Sequence, residues 1–181
     1  MVNMLDARCT SWCEVTMADS SEFSFGSPED GDLDTCADLF KKATGAKTSQ
    51  ENLLQILRGP GALVLVAKKQ GRIAGMISGL AFPGLIPPPR IEFTYVPDRE
   101  NARRGLSGLL VDAFLREVMR KLPQARFVEI NVGAANTSAV EFYSHHGFAI
   151  NGFARGEQIV SDIVMMRKRF VVGKRSATPI S

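Results

Sequence analysis

Residues 91–121 read IEFTYV-PDRENARR-GLSGLLVDAFLREVMRK, and this stretch decides the fold. Ile91 to Val96 is rich in β-branched and aromatic residues and predicts a strand. From about Gly105 to Lys121, Leu106, Leu109, Leu110, Ala113, Phe114 and Val118 recur at helical period and predict a long helix. Asp112–Arg116 and Glu117–Lys121 are acid-before-base pairs four apart, and Arg120 and Lys121 suit the negative end of the helix dipole. Pro123 stops the helix. Between strand and helix, Arg99, Arg103 and Arg104 form a basic turn. The first N–H groups of a helix lack internal partners and favour an anion. Gly105 and Gly108 are expected to let the backbone approach a bulky phosphate, and Arg103 and Arg104 to add charge-assisted bonds. The patterns G-x-x-x-x-G-K-[ST] and G-x-G-x-x-G are both absent. On these residues alone, a tight turn with solvated arginines remains the alternative.

Upstream, Glu22 to Phe25 is a short alternating run that could form a strand. Ser27-Pro28-Glu29-Asp30 reads as a helix start, with Ser27 as cap and Leu33, Ala37 and Phe40 on one face to about Ala43. Thr48 or Ser49 caps a second helix that Gly59-Pro60-Gly61 ends. ALVLVAK (62–68) and Arg72 to Ala81 predict a hairpin turned at Lys69-Gln70-Gly71. Phe82 to Arg90, with Pro83, Pro87, Pro88 and Pro89, reads as a rigid connector expected to border the cleft. Downstream come strand FVEINV (127–132), a helix from Thr137 to about His145 capped by Asn136, and strands near Phe148–Phe153 and Gln158–Phe170. The order predicts one α/β domain: a mixed, mostly antiparallel central sheet with helices on both faces.

The second informative unit is Val128-Glu129-Ile130-Asn131-Val132, then Asn136, Ala139, Phe142-Tyr143 and Gly147-Phe148. With R-R-G-L-S-G at 103–108 and D-x-V-M-M-R-K at 162–168, it resembles the GNAT superfamily of acyl-CoA N-acyltransferases. The likeness spans about residues 22–170, and the motifs are nearest to bacterial GNAT-domain and ribosomal-protein alanine acetyltransferase-like members. It implies acetyl-CoA as co-substrate, with its pyrophosphate on backbone N–H groups of Arg103, Arg104, Gly105, Leu106, Ser107 and Gly108. It also implies a cleft where the fourth and fifth strands splay, with Val96 meeting the pantetheine and acyl carbonyl through its backbone, Asn136 near the pantetheine arm and Tyr143 facing the CoA sulfur. The family pattern [RQ]-x-x-G-x-[GA] is altered, with Ala102 at its first position and Ser107 at its last.

In the implied mechanism a neutral amine attacks the thioester, a backbone N–H holds the oxyanion, and the thiolate leaves. Tyr143 is the candidate acid, protonated at neutral pH with an ordinary pKa of about 10; core packing is its other reading. Glu129 is slightly preferred as base and Glu92 is the alternative, while either could simply be exposed or paired with arginine. His145 and His146 read as dipole-compatible residues at a helix end.

At 181 residues, with 45% hydrophobic and 23% charged residues, the chain suits one globular domain. The net charge of +3 without basic–aromatic interleaving argues against nucleic acid. Arg167, Lys168, Arg169, Lys174 and Arg175 read as a solvated surface and tail. Three cysteines without framework spacing suggest reduced thiols in a cytoplasmic protein and no metal site. No apolar run is long enough to span a bilayer. Residues 1–21 are expected to be a disordered segment and 171–181 a flexible tail; Met17 opens a compact MADSSEF start. The acceptor amine is unspecified, as is the choice of monomer or homodimer. A second function class also fits: a catalytically weak or inactive acyl-CoA-binding regulatory module.

Overall fold

The computed structural model describes residues 22–82, 87–156 and 162–170. The expectations for residues 1–21 and 171–181 lie outside the described residues.

Apolar side chains at helical and alternating spacing sort into two cores, one on each face of a seven-stranded sheet. The strands are β1 (Ser24–Gly26), β2 (Ala62–Lys69), β3 (Arg72–Leu80), β4 (Arg90–Tyr95), β5 (Phe127–Gly133), β6 (Ala149–Ala154) and β7 (Ile163–Arg169). Their spatial order is β1-β2-β3-β4-β5-β7-β6, antiparallel except for the β4/β5 pair. Helices α1 (Leu33–Thr44) and α2 (Gln50–Arg58) pack on one face through Cys36, Leu39, Leu53 and Leu57 against Val64, Val66, Met76 and Phe93. Helices α4 (Leu106–Lys121) and α5 (Thr137–His145) share the other core with Ile77, Ile91, Val128, Ile130 and Val132. Phe114 on α4 is fully buried there; truncating such a ring to alanine costs about 3–5 kcal/mol.

Several local expectations shift. The first helix does not start at Ser27 and Pro28. A 3-10 turn, Asp30–Asp32, precedes α1, and Glu29 caps it by donating its N–H to Asp32 Oδ2 at 2.8 Å. Lys68 ties this entry to β2, reaching Glu29 at 3.0 Å and Asp32 at 2.8 Å. Ser49, not Thr48, caps α2 by accepting the Asn52 N–H. The basic turn holds one more helix, α3 (Arg99–Arg103), whose cap Asp98 accepts from Glu100 and Asn101 N–H. A capping Asp followed by an acid in the first turn was the available signal for it. The connector after β3 is described only at Phe82 and at Pro87–Pro89; there it enters β4 at the end where β4 and β5 are joined, with Pro89 C=O accepting the Glu129 N–H at 3.0 Å. Residues 83–86, the part of the connector expected to border the cleft, lie outside the described residues.

Candidate active site at an opening in the sheet

Strands β4 and β5 pair only at Arg90↔Glu129 and Ile91↔Ile130. Beyond that two-pair seam the β5-facing edge of β4 has no strand partner, so backbone groups between Phe93 and Val96 face an opening inside the sheet. A β-bulge begins there: Gly79 pairs with Ile91 and Ser78 with Phe93, so Glu92 is the extra residue. Bulges re-aim side chains, and this one moves the strand's apolar contacts from one face to the other. Ile91 packs in the α4/α5 core, whereas Phe93 packs in the α1/α2 core, edge-on to Phe40 at 5.0 Å. Thr94 then turns to the α4/α5 side.

Tyr143 meets it there. Its hydroxyl donates to Thr94 Oγ1 at 3.3 Å, long for an O–H···O bond and therefore weak. The residue is 6% exposed. Its ring packs edge-on to Phe142 and Phe148, with centroids at 4.9 and 5.5 Å. Burial pushes the phenol above its ordinary pKa, with the Thr94 bond opposing that shift. Tyr143 is thus both a core residue and a donor at the opening.

The carboxylates lie on the opposite face. Glu92, at the bulge, ion-pairs with Arg90. Glu129 sits at the seam, where Arg167 on β7 binds its Oε1 through Nε at 3.0 Å and Nη2 at 2.5 Å. Arg167 also lies over the Phe127 ring, 4.0 Å from its centroid. Glu129, the carboxylate preferred on sequence, is therefore clamped beside the join, while Glu92 stands at the first open position of β4.

The phosphate segment is narrower than the sequence suggested. The N–H groups of Arg104, Gly105, Gly108 and Leu109 already donate to the carbonyls of Glu100, Ala102, Gly105 and Gly105. Leu106 and Ser107, in the first turn of α4, have no carbonyl one turn back in the helix. Gly105 has φ +84° and open space where a side chain would begin, which suits close approach by a large anion. Gly108 does something else. A Cβ there would lie 2.6 Å from His146 Cε1, so this glycine makes room for the histidine ring rather than for a phosphate. Arg104 forms an ion pair with Glu22 at 2.8 Å; Arg103 is exposed. Asn136 spends Oδ1 on the Ala139 N–H and the Ser138 hydroxyl, at 3.2 and 3.1 Å, and so acts as the α5 cap. Val96 lies just past β4, partly buried against the α4/α5 core.

His146 had no assigned contact on sequence. Its ring is tilted against Phe142 at 4.6 Å, and its carbonyl accepts from Lys168 Nζ at 2.7 Å. Burial depresses its pKa, with Asp112 opposing and Lys168 and His145 adding to the shift. The signal that could have found it is Gly108 in a strong helical pattern, since glycine there needs a packing reason. Among the described residues no group of three or more His, Cys, Asp and Glu side chains is placed to hold a metal. No described helix is long and apolar enough to cross a membrane.

Comparison with curated protein sequences gives no match. Solved structures match well. Ard1 from Thermoplasma volcanium superposes with a TM-score of 0.69 at 20% identity, covering 83% of this chain and 99% of that one. The ribosomal-protein-S18-alanine N-acetyltransferase from Escherichia coli gives 0.68 at 18%, covering 84% and 97%. A GNAT family acetyltransferase from Elizabethkingia anophelis with acetyl-CoA bound gives 0.61 at 17%, covering 82% and 99%. At such identities these likenesses establish the fold: an open, mostly antiparallel sheet with helices on both faces. The family follows from a sequence model, that of the Acetyltransferase (GNAT) family, which matches residues 32–148, more than half of the chain. With the opening between β4 and β5 and the α4 start beside it, that match places this chain in the GNAT acetyltransferase family.

Proposed function

We propose that the protein transfers the acetyl group of acetyl-CoA to a primary amine, of a small molecule or of a protein N-terminus, by direct attack in the β4/β5 opening. The observation that carries this reading is the placement of Tyr143 on one face of the opening and Glu92 on the other. The amine nitrogen forms the new C–N bond as the C–S bond breaks. A carboxylate takes the ammonium proton, and the thiolate departs on the opposite side. Glu92 is the better-placed base because it stands at the first open position of β4; each carboxylate would have to release an arginine, Glu92 its Arg90 and Glu129 its Arg167. In this reading the N–H groups of Leu106 and Ser107 bind the pyrophosphate, and Val96 offers its backbone to the pantetheine. The free, buried Cys36 thiol is consistent with a cytoplasmic setting.

The raised pKa of Tyr143 shapes its role. A CoA thiol resembles cysteine and is more acidic than a phenol, and burial raises the Tyr143 phenol further, so complete proton transfer from it to the sulfur is unfavourable. Tyr143 therefore stabilises the departing sulfur as a hydrogen-bond donor. Tyr143→Phe removes that donor and one weak bond to Thr94. Expected is a fall in kcat of about a hundredfold with acetyl-CoA affinity little changed, read by free-thiol release across an amine panel. An intact kcat across the pH range removes Tyr143 from the mechanism. Acetyl-CoA binding without turnover on any amine refutes the enzyme reading and leaves a binding module.

A further inference from the structure

A second cavity lies at the far end of the sheet from the opening, beside the first residues of β5 and the last of β7. Its volume is about 670 Å³, and Arg126, Arg167, Arg169, Phe127, Phe170 and Pro123 line it. A smaller cavity of about 120 Å³ adjoins it, sharing Gln124, Arg126 and Phe127 and extending to Pro88, Pro89 and Leu122. Together they form one trough lined by three arginines and by the apolar Phe127, Phe170, Leu122 and prolines. The larger cavity has the size of an ordinary small-molecule site.

We propose that this trough binds an aromatic phosphomonoester: a dianionic phosphate on a flat apolar body. Three arginines line the cavity, and among the described residues no acidic side chain lines either part of it. Arg167 is engaged by the nearest carboxylate, Glu129, on one oxygen and braced on Phe127. The guanidinium groups of Arg126 and Arg169 are exposed and have no ion-pair partner among the described residues. Planar guanidinium forks match phosphate oxygens two at a time. Phe127, Phe170 and the Pro88–Pro89 pair supply the apolar surface a flat ring would cover. The register Phe127↔Arg169 and Glu129↔Arg167 sets the backbones of Phe127, Arg167 and Arg169 on paired strands, with Arg126 just before β5. Arg126, Arg169 and the apolar residues lie outside the acetyl-transfer site, and Arg167 touches it only through Glu129.

Phenyl phosphate is the probe, titrated calorimetrically into the full chain with the acetyl-transfer site held by saturating CoA. Phenol and inorganic phosphate are the controls. Expected is saturable binding of phenyl phosphate that exceeds both controls and weakens as pH falls through about 6, where the dianion takes a proton. The double variant Arg126→Gln/Arg169→Gln, altered only at exposed positions, should bind at least about tenfold more weakly while keeping its thermal midpoint and its CoA affinity. Binding equal to that of phenol, binding unchanged in the double variant, or no binding in the unaltered chain overturns the proposal. So does binding seen only without CoA, which would place the probe in the acetyl-transfer site. None of these outcomes depends on turnover, so the acetyltransferase reading stands or falls separately.

Discussion

Gly108→Ala tests how α5 is seated on the start of α4. The added methyl would lie 2.6 Å from His146 Cε1 and 2.9 Å from Nε2, well inside contact distance. To make room the ring must shift from where it now packs against Phe142. Overpacking of this kind costs about 1–3 kcal/mol. Replacing glycine by alanine in a helix recovers roughly 0.5–1 kcal/mol, leaving a net loss of about 1 kcal/mol from the two effects. In a His146→Ala background the obstacle is gone, and the same substitution should instead stabilise by roughly 0.5–1 kcal/mol. The difference, about 1.5–2 kcal/mol, is the expected coupling in a double-mutant cycle. Urea unfolding measures it, with midpoints compared at constant slope. Because α5 carries Tyr143, the single variant should also lose activity that the double variant partly regains. If Gly108→Ala changes stability equally in both backgrounds, the ring does not occupy that space and the reasoning fails.

Cys36, fully buried with its thiol pushed up to about 11 by burial and then by the nearby Asp32 charge, should resist alkylation in the native chain and react on unfolding; mass spectrometry of a Cys9→Ser/Cys13→Ser variant reads this, and rapid native labelling would contradict it. Gly79→Ala should destabilise by about 3 kcal/mol or more, because its Cβ would strike the Arg90 carbonyl and lie 2.5 Å from Phe114 Cζ at the bulge; denaturant midpoints check this, and a neutral result would mean the bulge has room. His146, with its pKa depressed in the fold, binds its proton more tightly when unfolded, so its contribution to stability is present above about pH 6.5 and lost as pH falls. His146→Gln should flatten the stability curve between about pH 7 and pH 5, and an unchanged slope would argue against it.

The parts legible in sequence are those set by local periodicity. The α4 stripe, the hairpin and the capped α5 were readable because one buried face imposes one spacing. Two features that the sequence does not reveal are tertiary. Glu92 reads as an ordinary alternating residue in IEFTYV; only pairing with β3 reveals it as the extra residue of a bulge. The single hint was Gly79 inside a strand, where glycine often marks a bulge or a close backbone approach. Gly108 was assigned to phosphate because it follows a basic turn, yet its neighbour lies nearly forty positions away on another helix. Glu129 and Arg167 are separated as widely, and no local pattern announces their pairing.

The two-pair seam between β4 and β5 has a consequence for how the chain assembles. On one side of it β1 to β4 are joined by antiparallel pairing between strands consecutive in the chain; on the other, β6 and β7 form a second such pair. Local pairings of this kind form early, whereas the join between the halves must wait for a crossover through α3 and α4. When β5 docks on β4, very little hydrogen bonding between the two rewards it, and the burial of Val128, Ile130 and Val132 in the α4/α5 core has to favour the closure. The gap that would admit substrates in the folded protein is thus also the least-bonded joint of its sheet.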